Sequence, residues 1–145
     1  MILLDVNVVL AALRDDHPQH GLVRPWFDRL LAEQRRFCVP DEVWAAVVRL
    51  ATNRRVFGEP SPLDKVFDFA RAVRAQPGHS ALRSGPRRFE LFATLCRDGQ
   101  AAGDLVPDAF LASLAMENGC GVASLDRDFA RFPGLAWEQP GQGNA

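Results

Sequence analysis

Four aspartates stand where buried parts of the chain are predicted to begin or end. Asp5 follows a short apolar run at the start of the chain, and Asp126 and Asp128 follow a second apolar run near its end. Asp108 falls in the first turn of a predicted helix. Ligands of open α/β sheets bind at the carboxyl ends of the parallel strands, so we expect Asp5 and Asp126 to share that edge. Hard cations such as Mg²⁺ prefer carboxylate and water oxygens, and the four acids therefore predict a metal site.

Each of these acids also has a simpler explanation. Asp5 is well placed to cap the helix that follows it, and the helix dipole favours an acid at the position of Asp108. However, a carboxylate that ends a buried strand needs a strong partner, because burying an unpaired charge costs free energy. The Asp126-Arg127-Asp128 turn also holds more acids than local capping requires. These two observations favour the metal site over the simpler explanation.

Other catalytic chemistries have weaker support in the sequence. His17 and His20 share a polar break and His79 is distant from both, so we interpret the histidines as surface or helix-start residues. There is no glycine-rich phosphate loop and no Gly-x-Ser-x-Gly motif. The three cysteines are odd in number and far apart, which predicts reduced thiols rather than disulfides or a zinc site.

The composition is that of an ordinary globular domain. Of the 145 residues, 48% are hydrophobic and 24% are charged, and no apolar run approaches the roughly 20 residues of a membrane span. We therefore expect no membrane partner, and the reduced thiols indicate a cytoplasmic protein. The net charge of −1 argues against a generally cationic nucleic-acid binder. It leaves room for local contacts by the paired arginines, which are Arg35-Arg36, Arg54-Arg55 and Arg87-Arg88.

Short strands alternate with helices along the chain, a pattern that predicts a three-layer α/β fold with a parallel sheet. The predicted strands are residues 1–4, 36–40, 79–82, 120–124 and 135–137, and the predicted helices are residues 6–14, 22–34, 43–52, 63–76, 86–98 and 105–118. Residues 1–140 are predicted to form a single domain and residues 141–145 a flexible C-terminal tail.

Two helices carry more detailed predictions. Asp41 is expected to cap the helix that follows the second strand. The helix over residues 63–76 has apolar side chains at i, i+3, i+4 spacing. The residues expected to face the core there are Leu63, Val66, Phe67, Ala70 and Val73.

Three motifs in this order resemble the PIN-domain family, and within it the VapC-type toxins of bacterial toxin–antitoxin pairs. They are Leu3-Leu4-Asp5-Val6-Asn7, Asp108-Ala109-x-Leu111-Ala112 and Ser124-x-Asp126-x-Asp128-Phe129. The resemblance implies an α/β/α sandwich with a short, mainly parallel central sheet. It also implies an endoribonuclease that depends on Mg²⁺ or Mn²⁺, an RNA substrate, a small antitoxin that occupies the active site, and a homodimer.

The resemblance assigns catalytic and metal-binding roles to Asp5, Asp108 and Asp126. It makes Asp128 a further metal-binding candidate and Asn7 a supporting residue. In the mechanism it implies, the metal lowers the pKa of a bound water, and the resulting hydroxide attacks an RNA phosphate in line. Two ions, if both are bound, lie roughly 3.5–4 Å apart.

One position departs from the family pattern. Many members have a glutamate about one turn into the helix after the second strand, where this chain has Trp44 or Ala45. Glu42 lies nearer the helix start. Either it reaches the metal, directly or through a water, or it is only a first-turn acid favoured by the dipole. We include Glu42 among the catalytic candidates.

An acidic pocket repels RNA, so arginines at its rim must supply the attraction. Arg127 is the nearest in sequence, and further candidates are Arg54, Arg55, Arg87 and Arg88.

Two other functions stay open at this point. A PIN-like module that binds a partner without catalysis would account for the displaced glutamate. A haloacid-dehalogenase-type phosphohydrolase also begins with a strand that ends in an acid. It would need a second acid where Asn7 stands and a lysine near the phosphate, and Lys65, the only lysine, lies inside a helix.

Overall fold

The computed structural model describes residues 1–142, which form four parallel strands, six α-helices and one 3-10 helix. The strands are β1 (Ile2–Leu4), β2 (Phe37–Cys38), β3 (Gly121–Ala123) and β4 (Trp137–Glu138). The helices are α1 (Val6–Leu13), α2 (His20–Ala32), α3 (Asp41–Ala51), α4 (Leu63–Arg74), α5 (Arg88–Asp98) and α6 (Leu105–Glu117), and the 3-10 helix is Arg127–Arg131. None of the helices in this part of the chain is long and apolar enough to cross a membrane.

The sheet has the order β2-β1-β3-β4, and every neighbouring pair is parallel. β1 occupies a central place, with Ile2 opposite Phe37 on one side and Leu3 opposite Val122 on the other. Parallel neighbours need crossover connections, which the helices supply. The predicted α/β fold with its parallel sheet is confirmed.

The central strands and the helices beside them explain the long apolar runs in the sequence. All three residues of β1 are buried, because helices cover both faces of a parallel sheet. α1 follows directly and buries five consecutive residues, and α6 buries most of its length. The chain therefore turns from a buried strand into a buried helix at Asp5, which leaves that carboxylate little freedom of position.

Two strand predictions need correction. Residues 79–82 form no strand, and the only pairing there is a single parallel bridge from His79 to Phe37. The last strand begins two residues later than predicted and is Trp137–Glu138. The predicted tail begins at Gly141, but residues 143–145 lie outside the described residues. The domain boundary at residue 140 stays a prediction.

Two helix predictions were also wrong in detail. α3 begins at Asp41, so Asp41 lies in the first turn instead of capping the helix, and its carboxylate contacts Arg74 at 3.2 Å. On α4, Leu63 and Phe67 are 53% and 40% exposed. α4 packs mainly against α3, so its buried stripe is narrower than the apolar pattern. The buried residues of that stripe are Val66, Ala70 and Val73.

Candidate active site

Asp5 is both a helix cap and a buried acid at the edge of the sheet. One carboxylate oxygen accepts a hydrogen bond from the Val6 amide at 2.7 Å, and the other accepts one from the Ser124 hydroxyl at 2.7 Å. The residue is only 8% exposed. Burial raises the pKa of Asp5 above its ordinary value, although these two hydrogen bonds oppose the shift, and the charge of Asp126 adds to it.

Ser124 connects the acids of the two central strands. It is fully buried, and its hydroxyl oxygen accepts hydrogen bonds from the Asn7 amide nitrogen at 3.1 Å and the Asp126 backbone N–H at 3.0 Å. The Asn7 carbonyl oxygen in turn accepts a hydrogen bond from the Leu125 backbone N–H at 3.1 Å. Ser124 belongs to the third motif, but no role was predicted for it from the sequence. Its position at the end of an apolar run, like that of Asp5, was the available signal.

Asp108 and Asp126 complete an acidic cluster with Asp5. Burial, the charges of Asp5 and Asp126 and a hydrogen bond to Asp126 together raise the pKa of Asp108 to about 7, and burial contributes most. Asp126 also caps the 3-10 helix by accepting from the Asp128 N–H at 2.9 Å. Asp128 is more exposed and lies 3.7 Å from Arg131. The structure thus brings Asp5, Asp108 and Asp126 together, with Asp128 at the outer edge.

The donor set has the chemistry that a hard divalent cation requires. Clustered carboxylates repel one another, and this repulsion contributes to the raised pKa of Asp108. As the side chains stand, however, no three His, Cys, Asp or Glu residues within 1–142 are arranged to hold a metal ion. Asp5 is engaged with Ser124, and Asp126 with the Asp128 amide. The residues fit a cation chemically, and the carboxylates must exchange these hydrogen bonds to ligate one.

Glu42 lines the same cleft but is held by an arginine. Its Oε1 accepts a hydrogen bond from Arg88 at 2.6 Å, and Arg88 is only 6% exposed. Trp44 is buried in the core and Ala45 is exposed, and neither lines the cleft. One turn beyond Glu42 on the same helix, Ala46 lines the cleft.

The cleft has a volume of about 400 Å³ and is lined by parts of α1, α3 and α6. Its polar lining residues are Asp5, Asn7, His17, Glu42, Arg49, Asp108 and Asp126. Of the arginines predicted at the rim, Arg88 is buried in its ion pair, and Arg54, Arg55, Arg87 and Arg127 are not part of the lining within residues 1–142. Sequence reasoning missed Arg49 because its helical phase relative to Asp5 depends on how α3 packs.

The comparisons with known proteins agree with the fold and the motifs. The PIN domain matches residues 2–135. The chain belongs to the PIN-domain family, among its VapC ribonucleases. Ribonuclease VapC31 of Mycobacterium tuberculosis is 55% identical over 140 residues, covering 97% of this chain and 99% of that protein. Ribonuclease VapC25 of the same organism is 54% identical with the same coverage. This membership confirms the resemblance and excludes a haloacid-dehalogenase-type enzyme.

Solved structures share the fold at low sequence identity. VapBC2 from Rickettsia felis, bound to a DNA fragment from its promoter, has a TM-score of 0.69 at 14% identity, with coverage of 97% of this chain and 99% of that chain. The M. tuberculosis VapC20, described as a sarcin-ricin loop cleaving toxin, has a TM-score of 0.64 at 18% identity, with coverage of 90% and 93%. PIN-domain ribonucleases are generally dependent on divalent metals.

Proposed function

We propose that this VapC ribonuclease is a divalent-metal-dependent endoribonuclease that acts as the toxin of a bacterial toxin–antitoxin pair. Its metal is Mg²⁺ or Mn²⁺, held by Asp5, Asp108 and Asp126, with Asp128 as a further ligand at the outer edge. The observation that carries the proposal is the acidic cluster, in which the pKa of Asp108 is raised to about 7 partly by its two neighbours. A cation would remove that repulsion.

The chain's own residues prepare the site in a defined way. The Ser124 hydroxyl donates to Asp5, so it fixes the rotamer of the carboxylate and favours its ionised form, against the opposing effect of burial on the pKa. Asn7 holds both Ser124 and the Leu125 backbone amide, so β1 and the turn after β3 keep their relative position. When bound, the metal supplies a Lewis acid for the RNA phosphate and lowers the pKa of water. Asp108 must lose its proton to take part.

Glu42 completes the proposed catalytic set from α3. Arg88 donates a hydrogen bond to one carboxylate oxygen of Glu42. The Glu42 side chain is still 31% exposed and lines the cleft. We therefore propose that Glu42 acts through a water rather than as a direct ligand.

The proposed partners follow from the family. Solved neighbours include toxin–antitoxin complexes, such as VapBC from Salmonella typhimurium bound to DNA. We propose a small antitoxin as the cognate partner and RNA as the substrate. A homodimer and a cytoplasmic location remain predictions, the second because the proposed substrate is RNA.

The decisive experiment is cleavage of pooled RNA with Mn²⁺ by the wild type, Asp5→Asn and Asp108→Asn. Each variant removes a proposed ligand, so we expect at least about a 100-fold loss of cleavage rate with an unchanged circular dichroism spectrum. Asp104→Asn is the matched control, because Asp104 is exposed at the start of the same helix as Asp108 and does not line the cleft. Full activity in Asp5→Asn, or in the wild type with EDTA, contradicts the proposal.

A binding module without catalysis is the second candidate. It is favoured by the engagement of Glu42 with Arg88 and by the absence of a preformed three-ligand arrangement within residues 1–142. RNA binding without cleavage at any Mg²⁺ or Mn²⁺ concentration would select it.

A further inference from the structure

α3 presents one continuous stripe to the cleft. Its lining residues are Glu42, Val43, Ala46, Arg49 and Leu50. This spacing of one, four, seven and eight residues from Glu42 describes a single helix face. At 1.5 Å per residue, Arg49 lies about 10 Å further along the axis than Glu42. The cleft therefore has an acidic end near the sheet and a basic end at the last turn of α3.

Arg49 is exposed and is not neutralised by the protein. Within residues 1–142 it has no acidic partner within 4.0 Å and donates no side-chain hydrogen bond. Arg88, by contrast, donates hydrogen bonds to Glu42, Ser113 and the Phe110 carbonyl oxygen. The charge of Arg49 is therefore available to an anionic ligand, whereas that of Arg88 is already used.

His17 reaches the cleft from a loop that other contacts hold in place. Arg14 pairs with Asp16 and stacks over Phe57 at 4.2 Å, and the His17 N–H donates to the Arg14 carbonyl oxygen at 3.2 Å. The ring Nδ1 accepts a hydrogen bond from the Gln19 backbone N–H at 3.0 Å. In the neutral ring the proton is therefore on Nε2, which makes that nitrogen a hydrogen-bond donor.

The wall between the two ends of the cleft is apolar. Its side chains come from α1, α3 and α6 and are Leu10, Val43, Ala46, Leu50 and Leu111. Sequence-specific RNA recognition uses unstacked bases, whose faces are apolar and whose phosphates are anionic. The apolar wall therefore suits the face of a base, and the charge of Arg49 with the N–H of His17 suits the phosphate of the same nucleotide.

We propose that this half of the cleft is a subsite for one nucleotide of single-stranded RNA next to the phosphate that is cut. The base lies on the apolar wall, and Arg49 and His17 bind the phosphate of that nucleotide. The proposal rests on the proposed ribonuclease function and adds the residues that recognise its substrate. It also explains how an acidic centre attracts RNA without the arginines predicted from the sequence.

The first test measures binding of a mixed-sequence single-stranded RNA to Asp5→Asn protein, which is expected not to cleave it. Adding Arg49→Ala is expected to weaken binding about five- to tenfold near 0.1 M salt. The slope of log K against log[salt] should also fall by about 0.7, the value for one phosphate contact on a single strand. Arg97→Ala is the matched control, because Arg97 is an exposed arginine outside the cleft, and it should leave both values unchanged.

The second test separates the histidine and base contacts. His17→Ala should weaken binding about two- to fivefold, and His17→Gln should restore most of the loss because its amide keeps an N–H donor. An oligonucleotide of the same length without bases should bind at least about fivefold more weakly than the RNA to the same protein. Equal affinity for the two oligonucleotides would overturn the base contact.

Cleavage kinetics distinguish this proposal from the proposed function. With Asp5 intact, Arg49→Ala should raise KM with kcat within about twofold of the wild type, as expected for loss of uniform binding. Unchanged KM and salt slope would overturn the subsite even if the enzyme cleaves RNA normally. If those values are unchanged and a co-expressed antitoxin binds less tightly, Arg49 belongs to a protein interface instead. Wild-type activity in Asp5→Asn would overturn the proposed function alone.

Discussion

Two groups of charged residues border the same cleft and differ in how their charges are balanced. The Arg88 group pairs a buried guanidinium with Glu42 and satisfies it further through Ser84, Ser113 and the Phe110 carbonyl. Within residues 1–142, Asp5, Asp108 and Asp126 pair with no such cation, and the pKa of Asp108 is raised to about 7. The first group stabilises the fold, whereas the second holds charges that repel one another until a cation or a proton arrives.

Breaking the Arg88 group should produce the largest change in stability. Arg88→Ala leaves Glu42 without its partner and removes the guanidinium that lies 3.6 Å from the centre of the Phe110 ring. We expect a loss of about 3 kcal/mol in the free energy of unfolding, measured by urea denaturation, because a buried guanidinium with all its hydrogen bonds is removed and Glu42 keeps a partly buried, unpaired charge.

The control for this variant is an exposed ion pair. Asp28→Ala removes an i,i+4 contact to Arg24 on α2 but leaves the hydrogen bond from Arg24 to the Ala12 carbonyl oxygen, and should cost about 0.3–0.5 kcal/mol. If Arg88→Ala costs no more than this, the Arg88 group does not stabilise the fold.

A bound divalent cation should neutralise the repelling carboxylates of the acidic cluster and stabilise the folded protein. Mg²⁺ or Mn²⁺ at 100 times its dissociation constant should stabilise the wild type by about 2.7 kcal/mol, seen as a rise in Tm. Binding near pH 6 should also release protons, because Asp108 must be ionised to ligate the metal. Asp5→Asn should show a much smaller rise, and an equal rise would mean that the ion binds elsewhere.

Changing the pH without metal should have the smallest effect. The folded pKa of Asp108 is raised from 3.8 to about 7, so the folded state binds more protons than the unfolded state between these values. Stability must therefore fall as the pH rises from about 4 to 7. Because Asp108 is partly exposed, we expect a contribution of about 1–2 kcal/mol rather than the full shift.

Asp108→Asn provides the comparison for this prediction. It should flatten the stability profile over that pH range in EDTA-containing buffer, while Asp104→Asn should follow the wild type. A profile for Asp108→Asn with the same slope as the wild type would mean that the repulsion lies at other groups.

Much of the fold and part of the candidate site could be predicted because they depend on local patterns. The apolar runs before Asp5 and Ser124 indicated buried parallel strands, and parallel strands put their carboxyl ends at one edge. The strand expected at residues 79–82 was wrong, because a short segment forms a strand only if a neighbour pairs along its whole length. Here His79 alone pairs with β2.

The sequence alone determined that acids end two buried strands and begin a third buried element, since burial and periodicity can be read from neighbouring residues. Only the tertiary structure decided which charges are balanced. Arg88 and Glu42 are 46 residues apart and look like ordinary surface residues in sequence. The packing of α3, α5 and α6 buries Arg88 and pairs it with the partly exposed Glu42. The same packing turns Arg49 toward the cleft, because helix orientation is set by long-range contacts that no local pattern contains.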